Sequence, residues 1–544
     1  MTEKLMITLD KLNTEQHSAV TSDDKSILVN ACVGSGKTTV LTSRISYLNQ
    51  VKNVPLKDMM VLTFTNKAAD EIKSRLSDNA DLSDECKMFG TFHSVAMYLM
   101  LEILPVEETG WTRDFTIIVP EDELLLAEEV ISDNSLKIKY KNRLAKRLDT
   151  EYKTYIKGGN SKYDDDLFTL FALLKLKRQE KNVMSYNDLI LNCSMLLANH
   201  SFHPKYLIID EVQDCNDEQV DLLKLLCGQE TSFFAVGDPN QMIYGFRGSD
   251  DTLFYRIKRE FNCREMSLSV NYRSEAFILK AANRFRQYGN PIKGSEISNE
   301  EKRIPVKNYY DPFQEAEILA ERILKLHEEG VSFSEIAIFY RLKLQVEQLS
   351  KIFSRYEIPY IMSSEADTTP QSDDAIWFMT FHASKGLEFD YVFMTGLNQG
   401  LMPIITKSRK DLDEERRLFF VGMTRAKKYL EFSYYTNSGI PNAFDSPSDF
   451  LKMIPPELLD WKKNPTDKER RDNLQKLRKI VQTNINSKTV FNSSDMIKLE
   501  KKATHPKYGT GILIREDENV YEIEFEGYGK KEFLKIFNEI TIVE

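Results

Sequence analysis

The sequence predicts an α/β protein built on parallel sheets and closing in a small antiparallel β unit. Short, continuous apolar runs alternate with helical stretches, as strands buried on both faces require. One of these runs, Ser26 to Asn30 (SILVN), passes through a turn of small residues into a helical pattern. The last stretch, ATHPKYGTGILIREDENVYEIEFEGYGKKEFLKIFNEITIV, switches to glycine-punctuated alternation, the mark of short antiparallel strands.

Composition bounds the function. At 544 residues, with 42% hydrophobic and 29% charged residues, the chain is too long for one core and reads as globular. Its longest apolar runs are strand-sized, so no membrane span is expected, and MTEKLMITLDKLN lacks a signal-peptide core. The six cysteines have no metal-type or disulfide-type spacing, which points to a reducing cytoplasm. A net charge of -10 argues against bulk attraction to nucleic acid, so any such site must be a local groove.

Taken in order, the first chemical element is the turn ACVGSGKT. Leu41, Ile45 and Leu48 after it repeat at i, i+4, i+7 as one helix face. The turn fits the phosphate-binding pattern G-x-x-x-x-G-K-[ST], with Ala31 in place of the first glycine. Gly34 and Gly36 allow backbone N–H groups to approach phosphate oxygens, Lys37 reaches the β and γ phosphates, and Thr38 ligates Mg²⁺. Lys37 is read as an exposed-loop lysine whose removal leaves the fold intact. In KYLIIDEVQD, Tyr206 to Ile209 forms another buried strand, which places Asp210 for Mg²⁺ and Glu211 for the attacking water. Further strands are expected at MMVLTFT, FFAVGD, IAIFY, WFMTFH, YVFMTGL and YLEFSYY. Only the first half has a phosphate loop, so the second half is a similar domain that completes the site across a cleft.

The ordered series LNTEQHSAV, ACVGSGKTT, TFTNKAADEIKSR, GTFHS, IIDEVQDCNDEQ, VGDPNQMIYGFRGS, NYRS, FHASKGLEF and VGMTRAKK resembles the superfamily 1 DNA helicases of the UvrD/Rep type. The resemblance runs from Leu12 to Lys428. It implies two RecA-like P-loop domains with one ATP between them, a helical insertion in the first and a small C-terminal β-barrel. The corresponding boundaries are 1–94 and 187–266 for the first RecA-like domain, 95–186 for the insertion, and 267–450 for the second RecA-like domain. Residues 451–496 then form a charged helical linker and 497–544 a Tudor/SH3-like barrel.

The resemblance also implies roles. Gln16 reads adenine, Tyr272 stacks on the base, and Glu388 meets the ribose; Ser35 and Thr39 complete the ATP loop. Gln241 senses the γ phosphate, and Arg273 and Arg425 stabilise charge on the transferring phosphoryl group. Phe64, Thr65, Asn66, His93, Tyr244, Phe246, Arg247 and His382 form the single-strand track, aromatic faces beside donors. Phe246 stands where the family usually has tryptophan. ATP and Mg²⁺ are the implied cofactors, and single-stranded and 3′-tailed duplex DNA the implied substrates. The implied activity is ATP-driven 3′-to-5′ translocation with unwinding.

Two regions depart from the family. Helical periodicity in EDELLLAEEV and DDDLFTLFALLKLKRQ fits the first insertion. Where the second should lie, only Val346 to Met379, 34 residues, separate the flanking motifs, so that insertion is essentially absent. HPKYGTGIL resembles the family's Tudor-like module, which serves protein partners such as RNA polymerase; a nuclease is another candidate. The rival classes are a nucleic-acid-activated ATPase switch that does not translocate, and a motor subunit serving a separate nuclease.

Overall fold

The computed structural model describes residues 9–461, apart from 77–84, 157, 164, 244–251, 296–301, 364–373 and 407, and the strands between 502 and 543. The chain divides into two compact units, Met1–Lys462 and Lys463–Glu544.

The first sheet begins with β1 (Ser26–Ala31), β2 (Met59–Thr63) and β3 (Phe89–Thr91). A short ribbon of β4 (Thr116–Ile117) and β5 (Val183–Met184) follows, and the sheet resumes with β6 (Tyr206–Ile209), β7 (Ser232–Gly237) and β8 (Arg264–Leu268). Its order is β3-β2-β6-β7-β1-β8, parallel throughout. Alternate residues of each strand enter separate cores. Leu28, Met60, Leu62, Leu207, Ile209 and Phe233 pack on one face, and Ile27, Val29, Val61, Ile208, Phe234 and Val236 on the other. That two-faced burial is why the strands read as unbroken apolar runs instead of alternating ones.

Between β4 and β5 stand the helices Pro120–Asp133, Leu144–Ile156 and Leu167–Glu180, on a core of their own that includes Leu126, Val130, Leu170, Phe171 and Leu174. Arg178 ties this layer to the next helix, Tyr186–Asn199. It donates to Glu123 Oε1 at 2.8 Å and to Asp188 Oδ1 at 3.0 Å.

A second ribbon pairs β9 (Val270–Asn271) with β10 (Lys293–Gly294). The second sheet comprises β11 (Ile304–Tyr309), β12 (Ile336–Tyr340), β13 (Tyr360–Ser363), β14 (Ile376–Thr380), β15 (Phe389–Met394), β16 (Ala426–Tyr435) and β17 (Leu459–Trp461). It is also parallel, in the order β13-β14-β12-β15-β16-β11-β17. The same division recurs, with Phe339, Met379 and Met394 on one face and Ile338, Phe378 and Phe393 on the other. Between β12 and β14 the described residues hold one helix, Lys343–Arg355, and β13.

The second unit contains an antiparallel sheet of β18 (Lys502–His505), β19 (Gly509–Glu516), β20 (Val520–Phe525), β21 (Gly529–Leu534) and β22 (Thr541–Val543), ordered β21-β20-β19-β18-β22. The charged segment KKNPTDKERRDNLQKLRKI lies outside the described residues.

Leu28 is fully buried on the strand that ends in the phosphate loop. Leu28→Ala should cost about 2–5 kcal/mol by lost transfer energy and a residual cavity. Urea unfolding measures this, and a loss below about 1 kcal/mol would contradict the packing described.

Candidate nucleotide-binding site

In a parallel α/β sheet the ligand crevice lies beyond the C-terminal strand ends, where neighbouring strands connect in opposite directions. Three candidate segments meet there: the phosphate loop after β1, Asp210–Glu211 after β6, and Asp238–Gln241 after β7. The loop leads into helix Lys37–Gln50, whose N-cap is Gly36 with φ 79° and no side-chain cap. The first-turn N–H groups therefore remain available to anionic oxygens. Gly34 also takes positive φ, 65°, and a Cβ there would lie 2.8 Å from Arg273 Cβ. Ala31 needs no such freedom, because it closes β1 in strand conformation.

The loop is held by distant residues. Gln16 Nε2 donates to Ser35 O at 2.9 Å, Asn271 Nδ2 to Val33 O at 2.7 Å, and Tyr272 N to Gly34 O at 2.8 Å. A cavity of about 580 Å³ opens beside it, lined by Gln16, Gly34, Gly36, Thr39, Tyr272, Arg273, Glu388 and Lys427 among others. Tyr272 is 52% exposed, so its ring face is open to a base. Thr38 lines a smaller neighbouring cavity with Asp210 and Glu211, oxygen donors of the kind a hard divalent cation takes.

Lys37 is not the exposed lysine expected from the sequence. Its side chain is 13% exposed, and Nζ grips both Glu211 oxygens at 2.7 and 2.8 Å. Burial raises the Glu211 pKa, but Lys37 and then Lys385 outweigh it and hold the group down at about 2. Asp210 moves the other way, to about 7, through burial and then the adjacent Glu211 charge. A phosphate oxygen arriving at Lys37 would compete with Glu211 for the ammonium and release the carboxylate toward water. Glu211 itself sits at φ 48°, a left-handed conformation that a non-glycine residue adopts at a cost.

The second half reaches across. Arg425 Nη2 donates to Gln241 Oε1 at 3.0 Å, while Gln241 Nε2 donates to Asp238 Oδ2 at 2.9 Å. Burial, then Arg273, lowers the Arg425 pKa, so an anion near it relieves a strained charge. Arg273 Nε lies 2.7 Å from Glu388 Oε2, and its Nη1 is buried without a hydrogen-bond partner among the described residues. That orphaned donor and the glycine cradle fit a phosphate chain. Lys427 takes the other Glu388 oxygen at 2.8 Å.

Among the described residues, the proposed DNA contacts line three different cavities. Phe64 and Thr65 border the cavity containing Thr38, Asp210 and Glu211. Asn66 is exposed and opens the helix Asn66–Leu76. His93 stacks edgewise on Tyr186 at 5.1 Å, in a cavity that also contains Asp217, Glu218 and Asp221. His382 lines another cavity with Arg341 and Glu415. Tyr244, Phe246 and Arg247 lie outside the described residues.

Three residues of the site were overlooked in the sequence although their motifs were quoted. They are Asn13 in LNTEQ, Asn271 in NYRS, and Lys385 in HASKG, which pairs with Asp214 and donates to Gln241 O at 2.9 Å. Asparagine is a common turn and cap residue, so nothing in the motif spacing marked its long-range bonds.

Lys37→Ala should abolish ATP turnover and, by stranding Glu211, lower stability by about 1–3 kcal/mol. Adding Glu211→Gln should restore most of the stability but no turnover, in paired denaturation and ATPase assays. Equal stability of the single and double variants would contradict the ion-pair account.

The pH dependence has a defined sign. Asp210 titrates near 7 when folded against 3.8 as a free side chain, so its contribution is full below about 4 and is lost as pH rises through about 7. In metal-free buffer the stability of wild type relative to Asp210→Asn should fall by up to about 1.4 kcal/mol per pH unit between pH 5 and 7, then level. A flat difference across that range would contradict the assignment.

The chain matches the UvrD/REP helicase N-terminal domain over residues 12–262 and the UvrD-like helicase C-terminal domain over 266–368 and 362–437. It is 29% identical over 501 residues to a probable DNA helicase of Mycoplasma pneumoniae, covering 85% of this chain and 90% of the relative. It is 24% identical over 723 residues to the ATP-dependent DNA helicase PcrA of Staphylococcus epidermidis, covering 97% and 98%. To PcrA of Staphylococcus aureus it is 30% identical over 373 residues, covering 65% of this chain and 51% of the relative. With both family domains matched in order across the two parallel sheets and a phosphate loop at their crevice, the chain belongs to the UvrD-type superfamily 1 helicases, enzymes that hydrolyse ATP and act on DNA.

Proposed function

We propose that the protein is a 3′-to-5′ single-stranded DNA translocase and helicase that uses Mg²⁺-ATP. The observation that carries the motor reading is the hydrogen bond between Gln241 after β7 and Arg425 before β16, beside the Lys385–Asp214 ion pair, while the polarity follows the resemblance to the UvrD-type helicases. These contacts join two parallel-sheet halves at the phosphate end of the crevice, so a change at the γ phosphate acts on both. Lys37, Arg273 and Arg425 take the phosphate charge, Thr38 and Asp210 hold Mg²⁺, and Glu211 positions the attacking water. Magnesium, when bound, would supply charge neutralisation for the phosphates. Gln16 and Tyr272 hold the base, with Glu388 at the ribose.

The helices between β4 and β5 are read as the family's first inserted domain, supported by their separate core. The second inserted domain is read as missing. The alignment with PcrA of Staphylococcus epidermidis spans 723 positions against 544 residues here, so at least 179 positions are filled only in the relative. The C-terminal family match also falls in two segments that meet at 362–368, next to β13. DNA would cross the two halves past Phe64, Thr65, Asn66, His93 and His382, with Tyr244, Phe246 and Arg247 supplying a stacking face. The antiparallel unit is read as a Tudor-like module for a protein partner, RNA polymerase or a nuclease. The cytoplasm and the handling of DNA in repair, replication, recombination or antiviral defence fit that activity.

Strand displacement tests the polarity. A duplex with a 3′ single-stranded tail should be unwound with ATP, and the same duplex with a 5′ tail should not. Equal or reversed displacement would overturn the assignment.

A further inference from the structure

Two residues proposed to meet the base, Gln16 and Tyr272, are both held by a third, Asn13. Asn13 is the N-cap of helix Thr14–Thr21, and its Oδ1 accepts from Gln16 N at 2.8 Å. Its own backbone N donates to Gln16 Oε1 at 2.9 Å, and its Nδ2 donates to Tyr272 Oη at 2.7 Å. Gln16 Nε2 meanwhile donates to Ser35 O.

These bonds remove the ambiguity of a glutamine amide. The end facing an N–H must be oxygen, and the end facing a carbonyl must be nitrogen. One lone pair and one hydrogen of the amide remain, an acceptor beside a donor. Adenine offers the complement, its 6-amino hydrogen beside N7, whereas guanine offers two acceptors, O6 and N7. The helix is also tied at both ends. Arg44 Nη1 donates to Val20 O and Ser22 O, each at 2.7 Å, and Glu15 accepts from Ser269 N and Oγ, each at 2.7 Å.

We propose that Asn13 is the positioning residue that sets base selectivity in this ATPase, its side-chain cap directing the backbone N–H that holds the Gln16 amide oxygen and its Nδ2 fixing the Tyr272 ring. The proposal rests on the reading that Gln16 and Tyr272 line the base slot. Its two arms have different consequences. Every base has a π-face, so the ring governs affinity for any nucleotide, while only the amide distinguishes adenine from guanine.

The test measures kcat and KM for ATP and GTP, with saturating single-stranded DNA, in wild type, Asn13→Ser, Asn13→Ala and Gln16→Ala. Serine caps a helix nearly as well as asparagine but is too short to reach Tyr272. Asn13→Ser should therefore raise KM for both nucleotides alike, leaving their ratio unchanged. Asn13→Ala should in addition reduce the ATP over GTP preference in kcat/KM by about tenfold, with kcat for ATP within about twofold of wild type. Wild-type KM values in Asn13→Ser overturn the Tyr272 arm. Wild-type preference in Asn13→Ala, when Gln16→Ala has lost it, overturns the selectivity role and leaves the site reading standing. Wild-type preference in Gln16→Ala overturns the site reading itself.

Discussion

The phosphate loop is braced by residues distant in sequence, and much of the site follows from that bracing. A loop that turns its N–H groups toward an anion leaves its carbonyls facing the protein, and each carbonyl needs a donor. Here the donors to Val33, Gly34 and Ser35 come from Asn271, Tyr272 and Gln16, two of them more than 230 residues away in sequence. The residues that brace the loop are thus also those proposed to form the base slot, or the neighbours of Arg273.

The two parallel sheets supply the rigidity this requires. Each strand is fixed by cores on both faces, so the strand ends that present Asp210, Asp238 and the loop have little freedom to drift. What remains adjustable is polar. On the proposed function, Lys37 would exchange Glu211 for a phosphate oxygen, and Arg425 would exchange Gln241 for the same. Both exchanges would convert an existing ion pair or hydrogen bond into contact with the nucleotide, and the second would act directly on the other half.

The fold was largely legible because buried parallel strands leave unbroken apolar runs, and because positive φ at Gly34 and Gly36 demands glycine. The carboxylates after β6 were legible for the same topological reason. Side-chain pairing over long sequence distances was not. Nothing local tells that Lys37 is buried against Glu211, that Lys385 crosses to Asp214, or that Asn13 reaches Tyr272. The single-strand track was read from aromatic faces beside donors, and that His93 shares its cavity with Asp217, Glu218 and Asp221 is a long-range pairing the motif spacing does not show.

The central claim is that Gln241 and Arg425 act as one unit joining ATP chemistry to the second half. A double-mutant cycle on DNA-stimulated kcat with Gln241→Ala and Arg425→Ala tests it most directly, because groups acting together lose their effect together. The account predicts that the double variant is scarcely slower than the more damaged single variant. Losses that multiply in the double variant would mean the two residues act independently and would contradict it.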